Sequence, residues 1–192
     1  MTVYDFDNTV YNGESCVDFF FFCLTKKFTL IKYLPIILYT AALYKLRLLK
    51  IEKLYDVTGN ISFEFARNNI PLERIVDEFW AAHDKKIKPY FREKIQENDL
   101  IISASPRFLI EDIIKKRWKC DLICSEFDTE TGTFEFVCYR ENKVKAFEKK
   151  YPGAVITELY TDSLNDIYLM KVAQKSFLVQ KGNPPQFIEM NE

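Results

Sequence analysis

The sequence predicts an α/β fold: a mainly parallel β-sheet with helices on both faces and an α-helical segment inserted after the first strand. After residue 98, apolar stretches of strand length alternate with amphipathic helical stretches, an order that is typical of parallel sheets. Between the first strand and residue 98, apolar residues recur at spacings of three and four, which is the period of a helix.

Local patterns predict the individual elements. The first strand is predicted over Thr2–Phe6, and a hairpin is predicted to turn at Thr131–Gly132. Later strands are predicted within residues 99–105, 120–127, 154–162 and 175–180, and helices within residues 106–118, 141–151 and 163–173. Pro71 is predicted to lie in a first helical turn and Pro89 to end the helical segment. The tail from residue 181 is predicted to be frayed.

Composition argues against several classes of protein. With 192 residues, of which 48% are hydrophobic, the chain can bury a core as one domain or as a domain with a large insert. Its net charge of −1 does not favour a nucleic-acid partner. Five cysteines without a CxxC pair are typical of reduced thiols in a cytoplasmic protein rather than of structural zinc. The single histidine, His83, argues against a histidine-based metal site or a catalytic triad.

The longest apolar run is too short to cross a membrane. It extends from Tyr33 to Tyr44 and contains Pro35, whereas a spanning helix needs roughly twenty apolar residues. Asp5 and Asp7 follow Met1 too closely for a signal peptide of the usual form. We therefore expect the run to form a buried or interfacial helix.

Polar residues follow several predicted strands at the point where each strand ends. Asp5 and Asp7 follow the first strand, Ser103 closes the second, and Asp162 follows a later one. Ligands of open parallel sheets bind beyond the carboxyl ends of the strands. Alternation along an extended backbone sends the Asp5 and Asp7 side chains to the same side, where two negative charges repel unless a cation or a proton separates them.

Each of these residues alone has an ordinary structural explanation. Asp5 and Asp7 suit an Asx turn. Ser103 and Asp162 suit helix N-caps, and a lysine at a helix start, such as Lys143, is commonly solvated. Their combination favours phosphoryl transfer, because carboxylates bind Mg²⁺ and can attack phosphorus, while a lysine and a hydroxyl can bind the phosphoryl oxygens.

Together these motifs resemble those of the haloacid dehalogenase-like (HAD) phosphohydrolase superfamily. They comprise D-x-D-x-T at residues 5–9, the apolar strand ending in Ser103, Lys143, and D-S-x-x-D at residues 162–166. The resemblance covers nearly the whole chain. It implies a Rossmann-like core formed by residues 1–13 and 98–192, and a helical cap formed by residues 14–97, as in the phosphoserine-phosphatase-like branch.

The resemblance also implies a role for each motif residue. Asp5 would be the nucleophile, and Asp7 would protonate the leaving oxygen and then activate water, with Thr9 orienting Asp7. The residues implied to bind the phosphoryl group are Thr9, Ser103, Ala104 and Lys143. The implied magnesium ligands are Asp5, the main-chain carbonyl of Asp7, and Asp162, with Asp166 supporting the metal through water or Lys143.

The chain departs from the family pattern at one position and leaves a second ambiguous. Thr161 stands where glycine is common before the acidic motif, which predicts a less tight loop. Lys143 and Lys145 both lie at the start of their predicted helix. The position just before the apolar stripe favours Lys143.

Two features give different indications about the substrate. Glu14 stands nine residues after Asp5, a spacing at which phosphoserine phosphatases carry a glutamate that meets the substrate amine. The segment Ser103-Ala104-Ser105 is more similar to phosphatidylglycerophosphatase-like relatives, whose substrate is a lipid. The run Phe19–Phe22 cannot lie on one helical face, and it suits either a buried cap helix or a lipid-docking surface.

The sequence therefore predicts a magnesium-dependent phosphomonoesterase that hydrolyses a small phosphorylated metabolite through an aspartyl phosphate. The alternatives are a lipid-phosphate phosphatase with peripheral membrane contact through the cap, a phosphotransferase with the same intermediate, and a binding protein without turnover. The full set of motif residues argues against the last. No nucleic-acid partner is expected, and the sequence leaves the oligomeric state open.

Overall fold

A computed structural model describes residues 1–46, 48–49, 53, 71–180 and 186–190. Its centre is a sheet of seven strands in the order β4-β3-β2-β1-β5-β6-β7. The strands are β1 (Thr2–Tyr4), β2 (Leu100–Pro106), β3 (Asp121–Asp128), β4 (Thr133–Phe136), β5 (Ile156–Thr161), β6 (Ala173–Val179) and β7 (Phe187–Glu189). The five inner strands are parallel, and the two edge strands are antiparallel to their neighbours. The predicted α/β class is confirmed.

Helices cover both faces of the sheet. They are α1 (Ser15–Lys26), α2 (Leu34–Lys45), α3 (Leu72–His83), α4 (Pro89–Lys94), α5 (Arg107–Arg117), α6 (Glu141–Lys150) and α7 (Ile167–Met170). Short 3₁₀ turns cover Phe28–Tyr33, Asp84–Lys86 and Leu164–Asp166. None of the helices in the described ranges has the length and apolarity needed to span a bilayer.

The core forms two layers because successive strand residues point to opposite faces of the sheet. Val3 and Leu100, which are register partners, pack with Phe147 of α6 on one face. Tyr4 and Ile101, one position further along, are also partners and pack on the other face. The fully apolar strands predicted from the sequence are thus buried on both sides.

Three helices of the insert, α1, α3 and α4, contribute to the second of these layers. Trp80 of α3 donates a hydrogen bond from Nε1 to the main-chain oxygen of Leu109, at 2.6 Å, and its ring meets Phe6 edge to face. Phe91 of α4 packs edge to face on Tyr4, with centroids 5.1 Å apart. The boundaries of the cap at residues 14–97 remain a prediction, but α4 packs directly on β1, and α3 packs on α5 and on the turn after β1.

Several sequence predictions are wrong in detail. Pro89 begins α4 rather than ending the helical segment, because proline is well suited to a first helical turn. The tail was predicted to be frayed, yet Phe187–Glu189 form β7 on the edge of β6, where the Phe187 ring packs against Tyr90 and Tyr160. The helix predicted within residues 163–173 is only a 3₁₀ turn and the short α7, since β6 already begins at Ala173. The helical prediction for residues 54–70 lies outside the described residues.

Candidate active site

The first site residues lie in a tight turn directly after β1. The amide of Asp5 still donates to the main-chain oxygen of Tyr160 at 2.8 Å, so Asp5 is held at the sheet edge. Asn8 then adopts a left-handed conformation with φ 56°, which asparagine tolerates better than most residues. The Lys88 ammonium donates to the main-chain carbonyl of Asn8. The turn is therefore braced by the segment before α4, a contact that the sequence did not predict.

Lys143 and two carboxylates form the buried centre of the site. Its Nζ lies 2.7 Å from Oδ1 of Asp5 and 2.8 Å from Oδ1 of Asp166. Asp5, Lys143 and Asp166 are all buried. Lys145 instead pairs with Glu141 on the surface, where 63% of its side chain is exposed. The structure thus places Lys143, and not Lys145, beside Asp5.

Thr161 reinforces the loop that carries the second acidic pair. Its Oγ1 donates to Oδ2 of Asp166 at 2.8 Å and accepts from the amide of Ser163 at 3.2 Å. Glycine at this position could make neither bond. The predicted loosening of the loop is not observed, because the buried hydroxyl supplies a cross-link in place of glycine's conformational freedom.

Asp7 is held by two serines that the sequence reasoning did not assign. The amide of Ser15 donates to Oδ1 of Asp7 at 2.7 Å, and Oγ of Ser105 donates to Oδ2 at 2.7 Å. Thr9, which was expected to orient Asp7, is fully buried, and its Oγ1 has no hydrogen-bond partner among the described residues. Ser105 was visible in the sequence as the second serine of the Ser-Ala-Ser segment.

The other predicted phosphate-binding residues lie at the end of β2. Oγ of Ser103 accepts from the amide of Ser105 at 3.0 Å. The main-chain oxygen of Ala104 accepts from Oγ of Ser125 at 2.7 Å. Because β2 pairs directly with β1, this segment is adjacent in the sheet to the turn that carries Asp5 and Asp7. Phosphate binding by these residues remains a prediction.

Glu14 and Asp162 are the acidic residues next to Asp7 that lie outside the buried cluster. Oε1 of Glu14 accepts from Nδ2 of Asn8 at 2.6 Å. Loss of surrounding water, together with the negative charges of Asp7 and Asp162, raises the pKa of Glu14 to about 7. Asp162 and Asn8 line a cavity of about 430 Å³ whose other wall is the end of β6.

The electrostatics of the site favour a cation. Burial raises the pKa of Asp5 to about 8, against the opposing effect of the Lys143 ammonium. Burial also raises the pKa values of Asp7 and Asp162. For Lys143, burial lowers the pKa, but the Asp5 and Asp166 carboxylates outweigh this and raise it. The Lys143 ammonium thus contacts two carboxylates, and a divalent cation would favour the ionised forms of the acidic residues around it.

The donor set fits a hard cation that keeps part of its water. No three acidic, histidine or cysteine side chains in the described ranges form a metal cage by themselves. Two carboxylates, a main-chain carbonyl and waters are an oxygen-only set of the kind that Mg²⁺ accepts. The residues at this edge are therefore compatible with the predicted ligands Asp5, Asp7 through its carbonyl, and Asp162.

A parallel sheet with a buried Asp–Lys–Asp cluster beyond its carboxyl ends defines an α/β enzyme with a carboxylate-based site. The chain belongs to the haloacid dehalogenase-like hydrolase family, whose model matches residues 2–171. The family predicted from the motifs is confirmed. A search of curated proteins gives no match.

Solved structures with low sequence identity share the fold. A protein of unknown function from Bordetella pertussis Tohama I has a TM-score of 0.64 at 17% identity, over 92% of this chain and 87% of that one. A phosphoserine phosphohydrolase-like protein from Francisella tularensis subsp. tularensis SCHU S4 has a TM-score of 0.58 at 18% identity, over 92% and 86%. A HAD family hydrolase from Salmonella enterica subsp. enterica serovar Typhi has a TM-score of 0.61 at 11% identity, over 90% and 59%.

Proposed function

We propose that the protein is a magnesium-dependent phosphomonoester hydrolase that acts on a small phosphorylated metabolite through an aspartyl phosphate on Asp5. The proposal rests on one observation: the carboxylates of Asp5 and Asp7 lie in different environments. Asp5 is paired with the Lys143 ammonium, whereas Asp7 is hydrogen-bonded by Ser15 and Ser105. Two carboxylates in different environments suit two different tasks, nucleophile and proton donor.

The reaction would proceed in two steps, transfer of the phosphoryl group to Asp5 and hydrolysis of the resulting aspartyl phosphate. Oδ of Asp5 attacks phosphorus, the bond from phosphorus to the leaving oxygen breaks, and Asp7 gives its proton to that oxygen. Asp7 then takes a proton from a water molecule, which attacks phosphorus and releases inorganic phosphate and free Asp5. Lys143, Ser103 and the main chain at Ala104 would bind the phosphoryl oxygens in both steps.

Magnesium would be held by Asp5, the Asp7 carbonyl and Asp162. When bound, it supplies positive charge that offsets the negative charge of the phosphoryl oxygens. Asp166 would act indirectly, because it holds the ammonium of Lys143 and accepts from Thr161. A phosphotransferase would use the same first step with an acceptor other than water.

Two observations support a small phosphate ester that carries an amine as the substrate. Glu14 would meet an amine of the substrate, and the phosphoserine phosphohydrolase-like protein from Francisella tularensis supports a phosphate ester of that kind. The five free cysteines support a cytoplasmic location.

A second candidate is a lipid-phosphate phosphatase that touches a membrane through the insert. Large apolar side chains of α1, the following 3₁₀ turn and α2 are exposed, including Phe21 at 51%, Phe28 at 74% and Tyr39 at 64%. The sequence from Phe19 to Leu46 contains four lysines and no acidic residue. Such a surface would suit anionic lipid.

A substrate screen tests the proposal. Phosphorylated metabolites and phospholipids are incubated with the full chain in magnesium, and released phosphate is measured with and without a chelator. We expect magnesium-dependent release that is lost on chelation and restored by Mg²⁺, but poorly by Ca²⁺, whose coordination is larger and looser. Undiminished hydrolysis after chelation would contradict the magnesium site, and release from phospholipids alone would favour the second candidate.

A further inference from the structure

Asp7 is hydrogen-bonded to a pair of buried serines whose hydroxyl groups also contact each other. Oγ of Ser105, at the end of β2, lies 2.7 Å from Oδ2 of Asp7 and 2.9 Å from Oγ of Ser15. Ser15 is the first residue of α1, which begins the insert. Both serines are at most 2% exposed. The turn after β1, the start of the insert and the distant end of β2 thus meet at one carboxylate.

The two bonds to Asp7 differ in what they permit. The Ser15 amide can only donate, whereas the Ser105 hydroxyl donates to Oδ2 and can keep doing so when Asp7 carries its proton on another lone pair, where the proton stays free for the leaving oxygen. Ser15 Oγ can in turn donate to Ser105 or accept from it. The pair of hydroxyls therefore remains hydrogen-bonded whether Asp7 carries a proton or has given it up. With both oxygens held, the remaining lone pairs of Asp7 have fixed directions.

We propose that Ser105, assisted by Ser15, is a positioning residue that aims Asp7 at the leaving oxygen and ties it to the first helix of the insert. The inference rests on the proposed function, since it assigns Asp7 to proton transfer. It gives this chain a different support for Asp7 from the expected Thr9, whose hydroxyl is buried without a partner in the described part of the chain.

Two aryl esters of similar size distinguish a positioning role of Ser105 from a purely structural one. Phenyl phosphate has the more basic leaving group and needs the proton more than 4-nitrophenyl phosphate does. We expect Ser105→Ala to lower kcat/KM for phenyl phosphate by about ten- to a hundredfold and for 4-nitrophenyl phosphate by much less, because a misplaced acid mainly slows the ester that needs it. Ser105→Thr, which keeps the hydroxyl, should restore the ratio of the two values. Ser15→Ala should have a smaller effect, because its amide remains.

Ser125→Ala is the matched control. Ser125 is also a buried serine, and its hydroxyl bridges the carbonyl of Ala104 and the amide of Cys138 without contacting Asp7. Any loss of kcat/KM in this variant should be equal for the two esters. Adding Ser105→Ala to Asp7→Asn should cause no further loss with phenyl phosphate if Ser105 acts through Asp7.

The outcomes are distinguishable. An unchanged ratio of the two kcat/KM values in Ser105→Ala, or a further loss in the double variant as large as in the wild-type background, would overturn the inference while wild-type activity remains. Failure of the wild-type protein to hydrolyse either ester in magnesium would instead count against the proposed function and, with it, this role of Ser105.

Discussion

Two regions of the molecule depart from the usual rule that charged residues are exposed and apolar residues are buried. They are the site at the sheet edge and the outer surface of α1 and α2. At the edge, Asp5, Lys143 and Asp166 are charged and buried. On the outer surface, Phe21 and Phe28 are apolar and exposed. The buried charges compensate one another, since the ammonium contacts both carboxylates. Buried charges at a sheet edge are typical of a reactive site, whereas the exposed rings are the feature behind the proposal of a membrane contact.

The largest effect is expected when the proposed nucleophile of the buried cluster is replaced. Asp5→Asn should lower hydrolysis at least about a thousandfold, because an amide is a poor nucleophile. The fold should persist, since Lys143 keeps its pair with Asp166. Steady-state phosphate release and circular dichroism would measure both effects. Asp112→Asn, at an exposed acid of α5, is the control and should leave hydrolysis unchanged. Near wild-type turnover by Asp5→Asn would contradict the covalent mechanism.

The next prediction compares two lysines of α6 that are two residues apart in sequence. Lys143→Met should destabilise the fold by about 3–5 kcal/mol, because it leaves buried carboxylates without their partner. Lys145→Met loses only an exposed pair with Glu141 and should change stability by about 0.3–0.5 kcal/mol. Urea denaturation of both variants measures the difference. Equal destabilisation would mean that the buried cluster contributes no more than a surface pair.

A smaller effect is expected at Glu14, where the insert leaves the sheet. The Glu14 carboxyl has a pKa of about 7, so its charged form increases as pH rises through that value. For a phosphate ester that carries an amine, KM should therefore fall between pH 6 and pH 8. Glu14→Gln should remove this dependence and raise KM about tenfold at the higher pH, because a charge-assisted hydrogen bond is lost.

The control for Glu14 is an ester of similar size without an amine. Its KM should be the same in wild type and Glu14→Gln at each pH. An identical rise in KM for both esters would show that Glu14 supports the fold of the turn through Asn8 rather than reading the substrate.

The smallest expected effect concerns the exposed rings. Replacing Phe21 and Phe28 together with serine should leave hydrolysis of a soluble ester unchanged. Binding to anionic vesicles, if the wild type shows it, should weaken by about 1.5–3 kcal/mol per buried ring. Flotation with liposomes measures binding, with Val155→Ser, at an exposed apolar residue outside the insert, as the control. Equal flotation of all three proteins would remove the support for a membrane contact here.

Much of the fold and part of the site could be predicted from local sequence patterns. Alternating apolar strands and amphipathic helices identify the parallel sheet, because periodicity is a property of neighbouring residues. The carboxyl ends of the strands then bring Asp5 and Asp7 together with Ser103 and Asp162. Motif order alone was enough to identify the family. These features depend on residues close in sequence and on one general rule of sheet geometry.

The tertiary structure decided the contacts between segments that are far apart in sequence. It placed Lys143, and not Lys145, against Asp5, 138 residues away. It joined Ser105 to Asp7 and Ser15 across about 90 residues or more, and it left Thr9 without a partner among the described residues. The helix that begins at Pro89 and the pairing of β7 with β6 likewise depend on the elements that pack against them. Hydrogen-bond partners of this kind follow from the packing of whole elements, which no local pattern of residues specifies.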